Sequence, residues 1–167
     1  MDSRTWTAMA MAVGVASGLA GCGGPPRDAV RDVSAFLQAA QGEDRMAFEA
    51  HIDRPAVRAD LKGQLMAAPD VRALRDQLGA SVGDVAIDRM LSPAPFRRMQ
   101  AEAESLPAPG DLGAIRARLK LMGPGRACLQ ARHSPRCLLT FVRQERSWKL
   151  VGLHAPDIAA ASPGPDA

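Results

Sequence analysis

The side chains able to carry chemistry in this sequence are few and stand far apart. Three histidines, His51, His133 and His154, lack the short spacing to a second ligand that a zinc or iron site shows, so the sequence implies no metal and no other cofactor. No serine lies in a Gly-x-Ser-x-Gly elbow, and neither Cys128 nor Cys137 has an adjacent base, so nucleophilic catalysis lacks its parts. Glu102 and Glu104 stand two apart on a predicted helix and therefore point in different directions. No catalytic residue emerges, and the chain reads as a non-enzyme. Arg116, Arg118 and Lys120 alternate along a predicted strand. Three cations on one face either meet lipid headgroups or an anionic polymer, or protect a sheet edge from association. Met46, Met66, Met90, Met99 and Met122 read as core filler and not as soft metal ligands.

The elements that must position these residues divide the chain in two. Over residues 27–40, Val30, Val33, Leu37 and Ala40 recur at helical spacing, and Gly42 is placed to end the helix. Asp44 can cap a short helix through Met46, Phe48 and Ala50. Asp53 supplies the side-chain oxygen of a further N-cap. Pro55 loses nothing in that first turn, and Val57, Leu61 and Leu65 follow on one stripe. More short helices are expected from Pro69-Asp70 with Val71, Leu74 and Leu78 up to Gly79, from Ser81 with Val82, Val85 and Met90, and from Ser92-Pro93 through Phe96, Met99 and Ala103. Pro107-Ala108-Pro109-Gly110 breaks the helical pattern. Beyond it Ile115, Ala117, Leu119 and Leu121 alternate with charged residues, which predicts a strand. After the turn Gly123-Pro124-Gly125, residues 126–132, 137–143 and 148–154 complete a four-stranded antiparallel meander. The fold class is therefore α+β: one domain over 27–155, with a helical part 27–106 and a sheet part 112–155. Disorder is expected over 156–167.

Composition agrees with one ordinary domain. Of the 167 residues 47% are apolar and 23% charged, whereas aromatics are 4% with no tyrosine, which predicts an aliphatic core and argues against a stacking platform for bases or sugars. The net charge of +3 is small and reads as dispersed, so no nucleic-acid partner is implied.

One stretch says more about place than about activity. An apolar run of about fourteen residues, 7–20, falls short of the roughly 20 needed to cross a bilayer, and it leads into Leu19-Ala20-Gly21-Cys22. The run, the small residues and the cysteine resemble the lipobox of bacterial lipoproteins, in which cleavage falls before the cysteine and its thiol carries diacylglycerol. The resemblance implies a signal peptide over 1–21, lipidation at Cys22 and a tether over 22–26, Gly23-Gly24-Pro25-Pro26 lending it slack and extension. It places the protein on the periplasm-facing side of the cell envelope. Because Gly23 follows the cysteine where an aspartate would favour inner-membrane retention, the outer membrane is favoured. With Cys22 assigned to lipid, Cys128 and Cys137 remain as an even pair in a compartment that permits disulfides. A hairpin centred between Arg132 and His133 sets them directly opposite, which predicts a bond. Two buried thiols that never meet are the competing reading.

A second resemblance rests on residues 51–62, His-Ile-Asp-Arg-Pro-Ala-Val-Arg-Ala-Asp-Leu-Lys, which is similar to the signature of the bacterial family known as domain of unknown function 2939. Leu91-Ser92-Pro93-Ala94-Pro95-Phe96 and Trp148-Lys149-Leu150 add to it, and Arg54 departs from it, since an apolar and often aromatic residue is expected there. The family has no established activity, so the resemblance brings no catalytic residues. Two functions stay open. One is a structural or interaction module anchored by lipid, whose partner is another envelope protein. The other is a binder of a small apolar or lipid ligand between helices and sheet, suggested by a layout similar to the cone-shaped transport-factor-like fold.

Overall fold

A computed structural model of the protein describes residues 24–42, 44–67, 80–101 and 106–154. The order is six helices and then four strands among these residues: α1 (Arg27–Gln41), α2 (Arg45–Ala50), α3 (Arg54–Ala67), α4 (Ala80–Met90), α5 (Pro93–Ala101), α6 (Leu112–Arg118), β1 (Leu119–Gly123), β2 (Arg126–Gln130), β3 (Cys137–Gln144) and β4 (Ser147–Leu153). The strands form one antiparallel sheet in the order β1-β2-β3-β4, so the α+β meander is as the sequence implies. The helix expected over 69–79, Cys22, Glu102, Ala103, Glu104 and the tail 156–167 lie outside the described residues.

Local chemistry sets the helix ends. Asp44 accepts a hydrogen bond from the Ala47 amide (3.0 Å) and Asp53 one from the Ala56 amide (3.1 Å), each satisfying a first-turn donor that has no partner within the helix. The Gly42 amide returns to the Gln38 carbonyl at the end of α1 (2.9 Å). Pro93 is the first residue of α5, where its missing amide hydrogen costs nothing, and the Ser92 hydroxyl donates back to the Arg89 carbonyl (2.8 Å).

The helices bury their apolar faces on one side of the sheet. Although aromatics are few, the core is not simply aliphatic, because all four phenylalanines of the chain meet at its centre. Phe36 of α1 lies 5.5 Å from Phe48, 5.3 Å from Phe96 and 5.7 Å from Phe141 between ring centroids. Such pairs contribute about 0.5–1.5 kcal/mol each beyond area burial. One ring from each of α1, α2, α5 and β3 thus joins the layers, with Leu37, Leu61, Leu139 and Leu150 around them, all fully buried.

The structure corrects several expectations. Residues 112–118 form a helix and not the start of a strand: the Asp111 carboxylate accepts from the Ala114 amide (2.9 Å) and caps it. Ile115 and Leu119, both fully buried, stand four apart, a spacing that suits a helix face as well as an alternating strand. Arg116 and Arg118 therefore belong to α6 and only Lys120 to β1, so no row of three cations exists on one strand. Val85 is 56% exposed, and the buried side of α4 is carried by Ile87 and Met90 instead. Of the methionines expected inside, Met90 and Met99 are buried, whereas Met46 lies on the open side of short α2 and Met122 at the outer edge of the sheet, both exposed.

Candidate functional site

Three side chains from the helical half, Asp32, Asp60 and Gln64, and the backbone of residues 51–53 converge on the outer edge of β4. A sheet edge presents a row of unpaired amides and carbonyls, and such groups must find partners or invite association. Here they are met one by one. The Trp148 amide donates to Asp32 Oδ2 (2.9 Å), the Leu150 amide to the His51 carbonyl (2.9 Å), and the Asp53 amide to the Leu150 carbonyl (2.9 Å). Further along, the Leu153 amide donates to Asp60 Oδ2 (3.2 Å), and Gln64 Nε2 donates both to the Leu153 carbonyl (2.7 Å) and to Asp60 Oδ2 (2.8 Å). Residues His51 to Asp53, between α2 and α3, act as a one-residue parallel strand bridged through Ile52 to Leu150.

Asp53 does two jobs at once. Its Oδ1 caps α3, as the sequence implies, and its Oδ2 accepts from Gln144 Nε2 of β3 (2.5 Å), which the sequence does not reveal. Asp60 needs a companion: a Cβ at Gly152 would lie 3.0 Å from Asp60 Oδ2, so the glycine leaves room for the carboxylate to reach the Leu153 amide. Asp32 is buried in α1, and its one readable signal is position, an acid three after Ala29 and four before Phe36 on the apolar face. His51, half-buried at the end of α2, has its basicity lowered by burial. The Asp32 carboxylate opposes that shift and Lys149 adds to it, so the fold favours the neutral imidazole over the cation that the helix end alone would suggest.

A second polar cluster joins α2, α3 and α4. Arg54 is hydrogen-bonded to Glu49, reaches Asp88 (3.3 Å) and donates to the Leu91 carbonyl (3.4 Å), and Arg58 also pairs with Asp88. The hydrogen bond to Glu49 holds the Arg54 guanidinium still more firmly protonated. Lys62 pairs with Asp84 (2.9 Å) one turn further, so cations four apart on α3 face acids four apart on α4. Arg54, where the family resemblance expects an apolar side chain, thus replaces packing with ion pairs that line an open cleft of about 490 Å³ between Arg45, Glu49, Leu91 and Pro93.

The predicted cystine is present: Cys128 and Cys137 are disulfide-bonded with Cα atoms 5.6 Å apart. Its register differs from the expected one. Cys128 stands opposite Thr140 and Cys137 opposite Gln130, because Leu138 is an extra residue between the paired positions. The hairpin closes through the Ala131 amide on the Arg136 carbonyl (3.0 Å), one residue beyond the expected centre. That moves the partner of Cys137 by two positions and keeps the side-chain parity. The bulge then brings Cys137, three residues from Thr140, onto the same face, with Sγ 3.5 Å from Thr140 Oγ1. His133 lies in this loop and His154 follows β4, and among the described residues no three His, Cys, Asp or Glu side chains gather as metal ligands. No described helix is long and apolar enough to cross a membrane.

Residues 19–99 match the family described as Protein of unknown function (DUF2939). Over these residues the chain is similar to that family. The match contains His51, Asp53, Asp60 and Gln64, so the motif that carries the resemblance is the segment that closes the β4 edge. It ends before the sheet, leaving Trp148-Lys149-Leu150 outside it. No curated relative and no solved structure matches the chain at a significant level.

Proposed function

We propose that this protein is a lipid-anchored module of the cell envelope, held at Cys22 and acting by interaction and not by catalysis. The observation that carries the reading is the sequence Leu19-Ala20-Gly21-Cys22 behind a short apolar run, five residues before the first helix begins at Arg27. A lipid-bearing cysteine there joins the folded domain through a tether of only a few residues. The Cys128–Cys137 disulfide supports an oxidising compartment such as the periplasm. Two or three acyl chains hold durably where one holds marginally, at about 0.8 kcal/mol per buried methylene. The outer membrane is the favoured location, from Gly23 in the position after the cysteine.

Between the two open functions, the packing favours the interaction module. The space between helices and sheet that an apolar ligand would occupy is filled by Phe36, Phe48, Phe96 and Phe141, each fully buried. The polar side chains at the β4 edge are likewise committed to backbone partners. Cell fractionation of Cys22→Ser tests the anchor. The unsubstituted protein should pellet with membranes after a high-salt wash and the variant should not be retained as a lipidated species. Retention of the variant in the same lipid-linked form would place the anchor elsewhere.

A further inference from the structure

The net charge of +3 conceals a strong segregation. Between Leu119 and Leu153 the sequence holds seven lysines and arginines and one acid, Glu145. The meander concentrates these cations further. Both of its tight turns, Gly123-Pro124-Gly125 and Glu145-Arg146, fall at the same end of the sheet, as the antiparallel order β1-β2-β3-β4 requires. Arg126 begins β2 there, opposite Val142, which in turn stands opposite Lys149, so the two cations share the face turned away from the helices. Arg146 is exposed in the second turn. At the same end Leu121 and Met122, consecutive at the end of edge strand β1, are 46% and 59% exposed, Leu121 standing opposite Ala127 on the side that faces the helices.

The entry of the chain lies at this end too. The Arg143 amide donates to the Gly125 carbonyl (2.8 Å), and the Arg143 guanidinium reaches Asp28 in the first turn of α1 (3.7 Å). From Cys22 to Arg27 there are five residue steps, which span at most about 18 Å when fully extended. A lipid on Cys22 therefore holds the two turns close to the bilayer surface.

We propose that this end of the sheet docks on anionic phospholipid headgroups, Arg126, Arg146 and Lys149 meeting the charge while Leu121 and Met122 enter the interface. The proposal rests on the lipid-anchor reading for the closeness of the surface. Exposed apolar side chains and cations at one end of the sheet suit a headgroup boundary, where one part is dehydrated and the other remains in a negative potential. Docking would fix the domain's orientation on the membrane.

The lipidated full chain carrying Met122→Trp, reconstituted in neutral phosphatidylcholine vesicles or in vesicles with one third phosphatidylglycerol, tests this. The introduced indole should be quenched by brominated acyl chains at least twofold more in the anionic vesicles, after subtracting the signal of buried Trp148 in the unsubstituted protein. High salt should remove the difference. Adding Arg126→Glu and Arg146→Glu should lower quenching to the neutral level, while flotation with both kinds of vesicle persists and the near-ultraviolet signal of Trp148 shows the fold intact. Flotation with equal or no quenching in the two vesicles overturns the docking and leaves the anchor standing. Failure to float with neutral vesicles overturns the anchor. Binding of heparin by the same cations without quenching in any vesicle assigns the face to an anionic polymer and overturns the lipid proposal.

Discussion

Replacing Asp53 with alanine removes two hydrogen bonds that serve different layers of the fold. Loss of the cap on the Ala56 amide costs about 1 kcal/mol. The bond from Gln144 Nε2 ends on a charged acceptor, a class that contributes about 1.5–3 kcal/mol, and because Asp53 is only half-buried the lower end applies. Together the change should cost about 2.5 kcal/mol, more than twice what a cap alone predicts. Urea unfolding of the disulfide-intact protein, followed through Trp148 fluorescence, gives the value from the shift in midpoint at unchanged slope. Asp53→Asn keeps a capping oxygen and should cost much less. Gln144→Ala should cost about 1.5 kcal/mol alone and almost nothing in the Asp53→Ala background, a coupling that a cycle measures directly. A loss under about 0.5 kcal/mol for Asp53→Ala, or strict additivity with Gln144→Ala, would refute the double role.

Three further outcomes follow from the same edge and its surroundings. Gly152→Ala should destabilise by about 1 kcal/mol in urea unfolding because its Cβ presses on Asp60, and in an Asp60→Ala background the penalty should vanish. His51 has its folded pKa below the ordinary 6.5, so the unfolded chain takes up the proton first and stability should fall as pH drops below about 6.5; His51→Gln should flatten that part of the profile, and an unchanged profile would contradict the assignment. Thiol labelling of unreduced, unfolded protein should find neither Cys128 nor Cys137, and reduction should cost about 2–3 kcal/mol for a crosslink spanning nine positions, so two reactive thiols would remove the cystine.

What could be read from the sequence was what local chemistry decides. Asp44, Asp53 and Gly42 mark helix ends because a cap needs only its own turn, and the meander announces itself through the turns between its strands. The misreadings have physical causes. Ile115 and Leu119 satisfy two periods at once, so nothing in their spacing separates α6 from a strand. The extra residue Leu138 alters register without altering composition, which is why the cystine was legible and its facing partners were not. The β4 edge was out of reach because Asp32 and Trp148 lie 116 residues apart, and Gln64 and Leu153 lie 89 apart. Only the buried placement of Asp32 hinted that a backbone donor had to come to it. Net charge misled in another way, since a small total hid a cationic sheet beside a helical half that offsets it.

The most direct measurement is the mass of the N-terminal peptide of protein extracted from the envelope. A chain anchored at Cys22 should lack residues 1–21 and begin at a Cys22 bearing diacylglycerol, with or without a further amide-linked acyl chain. A peptide that still carries Met1, or one that begins elsewhere with Cys22 as an unmodified thiol, would contradict the anchor.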